Sequence, residues 1–346
     1  MHDILAPFLP IPPTAPIQNV FTTSPHLHAL QPFIPLLFLA PDSALGIHKV
    51  SNPKVFTHRV VRPPPPSSSA NVTDPPHSSH IGEGSVLPEE AWEAFYPAGS
   101  INPNGEIKGG FGFYMKGPKP FEQALERKNA VEVVSGYEVM FEEGFEWVKG
   151  GKLPGVCAYF LSLYGSWIAI CSGRIDGGIG DSAYGCTGGR KEQRCNCFNL
   201  RTMWRANGEA ELYAYLPLLP SNTRALLSVP NSHENSDYGF SVGRGAWRFE
   251  SGRWFAVAIR VKLNEVGRED GEIDIFVDGQ SVISVRGLVF REDAQSKVKG
   301  MHFQTFFGGH TPDWASPKDQ RAWFSSVSGA VLGATNEDRE YSRDEL

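Results

Sequence analysis

The sequence predicts an all-β protein built as a jelly-roll β-sandwich, preceded by a disordered N-terminal segment. Between Phe255 and Leu263, large apolar residues alternate with smaller or charged ones, which is the period of two expected of a strand with one buried face. Strand-like runs at 272–277 and 281–285 flank Asp278-Gly279, a dipeptide that favours a tight hairpin turn. Few stretches have the period of a helix, so repeated strands of this kind favour a sandwich or jelly roll.

Composition divides the chain into three parts. Residues 1–88 are rich in proline, serine and histidine and too poor in apolar side chains to bury a core, so we expect them to be disordered. The folded domain is predicted at 89–336, and 337–346 is a charged tail. The run Val156 to Ile175 is almost uncharged. Because it lies inside the domain, we interpret it as an atypical insertion rather than a membrane span.

Two segments bear on the location of the protein. The apolar run Phe33 to Ala40 lacks a preceding basic region and lies late in the chain for a signal peptide. The chain ends in Arg343-Asp344-Glu345-Leu346, which is close to the tetrapeptide that retains proteins in the endoplasmic reticulum. Since no clear signal would admit the chain to that lumen, we interpret the ending as a coincidence.

The balance of charge bears on partners. A net charge of -6 would repel a polyanion overall, so binding of an acidic polymer requires a local basic cluster. Candidates for that cluster are Lys149, Lys152, Arg190, Lys191, Arg194, Arg201 and Arg205. Aromatic residues make up 12% of the chain, which favours β structure and stacking on sugars. We expect a monomer with no cofactor and no nucleic-acid or membrane partner.

The five cysteines suggest a covalent constraint near one strand. Cys186, Cys195 and Cys197 crowd a glycine-rich stretch, and we predict a disulfide between Cys186 and Cys197 that contributes somewhat under ~3 kcal/mol. A zinc site is the alternative, but a fourth ligand at metal spacing is missing from this stretch. We therefore predict no metal.

The stretch Cys197 to Pro217 is predicted to form a hairpin around Asn207-Gly208. Strand alternation places four side chains on one face of its first strand, namely Asn199, Arg201, Met203 and Arg205. Tyr213 and Tyr215 share a face of the second strand. Two tyrosines, an arginine and an amide on one surface would form a site for an acidic sugar.

The register of this hairpin decides whether these side chains meet. A two-residue turn would pair Arg201 with Ala214 and put both tyrosines on the opposite face. A loop with one additional residue would pair Arg201 with Tyr213 or Tyr215. A shared site therefore requires a loop with an odd number of residues.

Together with three further motifs, this hairpin resembles the polysaccharide lyase family 14 domain. The motifs are FEEGFEWVKGGKLPG at 141–155, DYGFSVGRGAWRF at 237–249 and FQTFFGG at 303–309, and the resemblance extends over about 91–334. It implies a concanavalin A-like jelly roll whose concave face binds a polyuronate, and a secreted, extracellular enzyme. Its members include viral and molluscan lyases that act on glucuronate polymers or alginate, together with many fungal relatives.

The resemblance also implies roles for individual residues. The matching catalytic positions are Lys152, Asn199, Arg201, Tyr213 and Tyr215. Asn199 and Arg201 would neutralise the substrate carboxylate, while a lysine or tyrosine acts as base and a tyrosine as acid; which tyrosine does which stays open. Asn199 departs from the family, whose characterised members carry serine at this position. Candidate substrate-binding residues are Lys149, Arg205, His233, Arg244, His302 and Gln304.

Two other functions compete with elimination. A non-catalytic carbohydrate-binding protein could keep the same fold, and the serine-to-asparagine departure favours it. A glycoside hydrolase would place carboxylates along one strand as Glu-x-Asp-x-x-Glu. Glu272-Ile273-Asp274 begins that pattern, but Val277 occupies the third acidic position, so hydrolysis is the least favoured function.

Overall fold

The computed structural model describes residues 9–11, 16–24, 34–35, 41–55, 57–67, 87–127, 130–159, 197–235, 238–292, 294 and 296–333. Its strands are β1 Ile17–Thr22, β2 Ile34–Pro35, β3 Ile47–His48, β4 Arg59–Val61, β5 Ala91–Tyr96, β6 Phe111–Met115, β7 Glu132–Phe141, β8 Gly151–Tyr159, β9 Cys197–Trp204, β10 Glu209–Tyr215, β11 His233–Glu234, β12 Phe240–Arg248, β13 Trp254–Lys262, β14 Gly271–Val277, β15 Gln280–Leu288, β16 Lys297–Phe307 and β17 Gln320–Leu332. Two short helices are α1 Lys119–Leu125 and α2 Pro220–Leu227, and single 3-10 turns occur at Ala206–Gly208 and Pro312–Trp314.

These strands form two sheets that pack face to face as a jelly roll. The back sheet has the order β15-β14-β13-β7-β17-β1-β2, with β5 and β4 joined to one end of β17. The front sheet has the order β11-β12-β10-β9-β8-β16-β6-β3. All pairings are antiparallel except β1 with β2. The outer surface of the front sheet, called the front face below, carries the residues of interest.

Aromatic side chains fill the space between the sheets. Phe303 of the front sheet stacks on Phe113 with ring centroids 5.3 Å apart, and Trp92 of the back sheet meets Phe303 edge-on at 5.1 Å. The alternation along β9 sends Phe198, Leu200 and Trp204 into this core, because successive side chains of a strand point to opposite faces. The intervening residues of β9 therefore point to the front face.

The predicted strands of the domain are confirmed, with one difference in burial. The hairpin around Asp278 joins β14 to β15 as predicted, and β13 covers the alternating run. That run was expected to be buried on one face only, yet Ala256 and Ala258 on its other face are buried too. N-terminal residues supply the cover, because Leu9 and Val20 pack in one cluster with Ala258.

The expectation of disorder throughout 1–88 is wrong for the segments that the structure describes. Strand β1 pairs along β17, and its Val20 and Phe21 are each only 1% exposed. Strand β4 likewise pairs with β5. A mean composition hides such short apolar strands, which are stable because the back sheet offers them an unpaired edge and an apolar surface.

The predicted insertion at 156–175 begins inside a strand. Val156 to Tyr159 complete β8, which lies between β9 and β16, so these four residues belong to the sheet itself. Residues 160–175 and the tail at 337–346 lie outside the described residues. No helix among the described residues is long and apolar enough to cross a membrane.

Candidate active site

The β9–β10 hairpin has the odd loop that a shared site requires. Trp204 pairs with Ala210, and the Arg205 amide donates to the Glu209 carbonyl at 2.6 Å, so three residues form the turn. Asn207 at φ 59° and Gly208 at φ 76° both adopt the left-handed conformation, which these two residue types tolerate best.

This register places Arg201 directly opposite Tyr213 and Asn199 directly opposite Tyr215. All four side chains therefore point to the front face, as the odd-loop interpretation requires. The two phenol rings contact each other with centroids 5.3 Å apart. A two-residue turn is excluded.

Lys152 reaches the same group of side chains from β8. Its backbone lies opposite Met203 of β9, and its amine is 3.4 Å from the Tyr213 ring centroid and 5.7 Å from that of Tyr215. The amine also contacts the Met203 sulfur at 2.7 Å. Burial, followed by the nearby charges of Arg201 and Arg205, lowers the pKa of Lys152 well below its ordinary value. A neutral amine, which can accept a proton, is thereby favoured.

Arg201 is held rigidly although it is almost fully buried. Its Nε donates to the Leu153 carbonyl at 3.2 Å, and its two terminal nitrogens donate to the side-chain and backbone oxygens of Gln304 at 3.2 and 2.7 Å. Burial lowers the pKa of Arg201 to about 10, so the guanidinium remains charged near neutral pH. It is a fixed cation beside the tyrosines.

Asn199 and His302 form a second polar pair on the front face. Asn199 Nδ2 lies 2.9 Å from His302 Nδ1, and the His302 ring stacks on Tyr114 at 4.3 Å. Burial and then Arg201 lower the pKa of His302 well below its ordinary value, against a hydrogen bond with Gln304 that raises it. Asn199 Oδ1 is buried and has no hydrogen-bond partner among the described residues, which leaves a polar atom that a ligand could satisfy.

A buried carboxylate that sequence reasoning missed lies next to this group. Glu211 is fully buried and forms ion pairs with Arg205 and Arg244. Burial alone would raise the pKa of Glu211, but Arg205, Ser241 and Arg244 hold it below its ordinary value. Glu211 lies two residues before Tyr213, so strand alternation was the signal that could have revealed it.

Two predicted substrate-binding residues lie at the periphery. Lys149 forms an ion pair with Asp313 and lies 6.0 Å from the Trp314 ring centroid. His233 lies on the short edge strand β11, where its Nε2 is 3.1 Å from a terminal nitrogen of Arg244. Neither side chain has a described contact with Lys152.

The carboxylates that began the hydrolase pattern lie on the other sheet. Glu272 and Asp274 are on β14, and each accepts a hydrogen bond from Arg260 Nη1 at 2.7 Å. Both carboxylates are therefore neutralised on the outer surface of the back sheet. This arrangement removes the structural basis for the hydrolase hypothesis.

The cysteine prediction is tested only in part. Cys197 is disulfide-bonded, whereas Cys186 lies outside the described residues, so the pairing stays a prediction. Cys157 is a buried free thiol, and burial raises its pKa to about 12. Among the described residues, no group of three or more histidine, cysteine, aspartate or glutamate side chains could hold a metal ion.

Comparison with known proteins identifies the family of this chain. The family model described as polysaccharide lyase 14 matches residues 87–327. A crystal structure of a marine PL-14 alginate lyase from Aplysia kurodai is 29% identical, with a TM-score of 0.56 over 70% of this chain and 83% of that chain. An alginate lyase from Chlorella virus is 18% identical, with a TM-score of 0.52 over 71% of this chain and 86% of that chain, and shares the fold. No curated protein matches this chain. The chain belongs to the polysaccharide lyase 14 family.

Proposed function

We propose that this polysaccharide lyase cleaves a β-linked uronate polymer, glucuronan or alginate, by β-elimination on the front face. The observation that carries the proposal is the convergence of three groups from neighbouring strands. The Lys152 amine lies on the Tyr213 ring at 3.4 Å, and Arg201 is the cross-strand partner of that tyrosine. An amine, a phenol and a fixed guanidinium are the groups that elimination next to a carboxylate requires.

The first requirement of this reaction is a cation beside the substrate carboxylate. The proton at C5 of a uronate is weakly acidic, and its removal shifts negative charge onto the adjacent carboxylate. Arg201 is fixed by Leu153 and Gln304, so it costs little reorganisation when that charge develops. Donors of this kind are typically worth about 2.7–4 kcal/mol each. Asn199 would supply a further polar contact.

The second requirement is a base and an acid on the two sides of the breaking bond. In our proposal the neutral Lys152 amine removes the C5 proton, the C4–O4 bond breaks, and a double bond forms between C4 and C5. Tyr213 or Tyr215 gives its proton to the departing O4. The proton gained by the base returns to solvent, the tyrosine is reprotonated from solvent, and no water is consumed.

A second candidate function is binding without catalysis. Asn199 occupies the position where the characterised family members have serine, and its amide is bulkier. The catalytic candidates are also scarcely accessible, since Tyr213 is 6% and Lys152 is 9% exposed. Little of either side chain is therefore open to a polymer in this structure. A lectin-like protein could keep the cationic surface and never turn over its ligand.

An assay on a panel of polyuronates separates the two functions. We expect purified protein to release products whose unsaturated uronate absorbs in the ultraviolet, and the Tyr213→Phe/Tyr215→Phe variant to lose this activity while still binding oligouronates. Oligouronate binding with no turnover in either protein would support the lectin-like role. Absence of ultraviolet absorbance on every polyuronate would sink the lyase proposal.

A further inference from the structure

The Glu211 carboxylate accepts hydrogen bonds from three side chains on the front face. It accepts from Arg205 Nε at 2.8 Å and from a terminal nitrogen of the same guanidinium. It also accepts from Arg244 Nε at 2.8 Å and from Ser241 Oγ at 2.6 Å. A fully buried carboxylate with two guanidinium partners is costly to desolvate, so its place beside the catalytic candidates requires an explanation.

The backbone of β12 is distorted where Arg244 meets this carboxylate. Along β10 and β12 the pairing jumps from Ala210 with Trp247 to Leu212 with Val242, so several extra residues of β12 lie opposite Glu211. Gly243 at φ 65° and Gly245 at φ 79° flank Arg244 within this bulge, and only glycine adopts such angles without strain. Bulges of this kind re-aim a side chain next to active sites.

Arg205 lies between Glu211 and the catalytic candidates. Its guanidinium carbon lies 6.0 Å from the Tyr213 ring centroid, and the Lys152 amine contacts the same ring. Arg205 follows β9 directly at the start of the turn, and its side chain is 11% exposed. Two Arg205 nitrogens donate to the same Glu211 oxygen, Oε1, and these bonds fix the long side chain on the front face.

The charged and titratable groups around Lys152 come from several strands. They are Arg201 and Arg205 from β9 and its turn, Glu211, Tyr213 and Tyr215 from β10, Arg244 from β12, and His302 from β16. Cations dominate this set among the described residues. Without Glu211, the guanidinium groups of Arg205 and Arg244 would lie close together without the carboxylate that now separates them. Their repulsion would drive these groups toward solvent.

We propose that Glu211 is a positioning residue. It anchors Arg205 beside Lys152 and Tyr213, and it lets Arg205 and Arg244 remain close together on the front face. This inference rests on the proposed function for its catalytic meaning, because it concerns the environment of the proposed base. Glu211 itself is not a proton carrier in this scheme. Its carboxylate is saturated by donors and does not need to touch the substrate.

The proposal predicts a distinctive direction of change at Lys152. Arg205 lowers the pKa of Lys152, whereas the charge of Glu211 raises it. If Glu211 acts by anchoring Arg205, then Glu211→Gln releases Arg205 and the pKa of Lys152 rises. If Glu211 acted only through its own charge, the same substitution would lower the pKa of Lys152. A merely structural role would leave it unchanged.

The test is a direct titration of Lys152 in the full-length protein by carbon NMR of labelled lysine, with Lys152→Met to assign the signal. We expect Arg205→Met to raise the pKa of Lys152, and Glu211→Gln to raise it by less, because that variant also loses the charge of Glu211. The double variant should match Glu211→Gln alone. Glu209→Gln is the matched control, since Glu209 is on the same strand but forms a partly exposed ion pair with Arg248 at 3.5 Å. It should leave the titration unchanged.

The outcomes decide the proposal whether or not the protein is an active lyase. A fall or no change of the Lys152 pKa in Glu211→Gln, or additive shifts in the double variant, would overturn it. If Glu211→Gln does not fold, Arg205→Met still decides, because an unchanged Lys152 pKa there removes the role assigned to Arg205. In an active enzyme, the acidic limb of the rate profile should move to higher pH in both single variants. Lack of lyase activity in the wild type would refute the proposed function without altering the titration.

Discussion

The two outer surfaces of this sandwich both bury charge, but they do so in opposite ways. On the back sheet, Arg260 is surrounded by three carboxylates, those of Glu132, Glu272 and Asp274. On the front face, the described cations outnumber the carboxylates; they are Lys152, Arg201, Arg205 and Arg244, with Glu211 as their described anion.

The pKa values follow this difference. Burial alone would lower the pKa of Arg260, but its carboxylate partners raise it above the ordinary value. On the front face, burial and neighbouring cations lower the pKa of Lys152 and burial lowers that of Arg201. The buried cation of the back sheet is thus paired with carboxylates, which serves the structure of that sheet. An excess of buried cations, which costs stability, is typical of functional sites and makes the front face the candidate for one.

The largest effect should come from removing the proposed base. Lys152→Met should lower kcat on a polyuronate by roughly 10²–10⁴-fold, the usual contribution of general acid–base catalysis. Its stability should not fall, because burial already disfavours the charged amine. Ultraviolet absorbance and urea unfolding measure the two quantities. Lys262→Met on the back sheet is the control and should keep its activity. Equal activity in the two variants would contradict the proposed difference between the front face and the back sheet.

The back-sheet cluster should behave in the opposite way. Arg260→Met leaves Glu132 and Asp274, which are 6% and 4% exposed, without their main cation. We expect the unfolding free energy to fall by about 3–5 kcal/mol, with activity per folded molecule unchanged. Arg286→Met, which removes a half-exposed partner of Asp274, should cost less than about 1 kcal/mol. Equal losses in urea unfolding would contradict this ranking.

The N-terminal strand β1, whose Phe21 packs into the core between the sheets, should also be needed for stability. Phe21 is buried and meets Phe121 edge-on with ring centroids 4.8 Å apart. Phe21→Ala should lower the unfolding free energy by about 3–5 kcal/mol. Val60→Ala, at an exposed position of β4, should change it by less than about 0.5 kcal/mol. A neutral Phe21→Ala would mean that β1 is not part of the folded domain.

The smallest of these effects concerns a back-sheet carboxyl, that of Glu138, which has no ion pair among the residues that the structure describes. Burial raises the pKa of Glu138 to about 7, against a hydrogen bond from Ser326 that lowers it and with a contribution from Asp278 that raises it. The folded protein therefore binds more protons than the unfolded chain between about pH 4.5 and 7, and its stability falls as the pH rises through that window. Glu138→Gln should be more stable than wild type by up to about 3 kcal/mol above pH 7, and equally stable below about pH 4. Urea unfolding at several pH values measures this difference in stability. A difference that stays constant from about pH 4 to above pH 7 would contradict the raised pKa of Glu138.

Much of the site was accessible to sequence reasoning because strand alternation is a local rule. It placed Arg201 and Tyr213 on faces that could meet, but the register depended on the turn, where Asn207-Gly208 is compatible with more than one loop length. Glu211 obeys the same alternation and was overlooked because no motif singled it out. Tyr114 had no local signal in the sequence, because it stacks on His302 from β6, a strand that is adjacent in the sheet but far away along the chain. The N-terminal strands were missed because a proline-rich average conceals short segments that gain their partners from the rest of the fold.

The central claim is elimination, and the masses of the products test it most directly. A defined oligouronate is digested with the wild-type protein, and each product is weighed by mass spectrometry. Elimination adds nothing, so the two product masses should sum to that of the substrate, with the unsaturated sugar at the new non-reducing end. Products whose masses sum to the substrate plus one water would show hydrolysis and contradict the role assigned to Lys152 and the tyrosines.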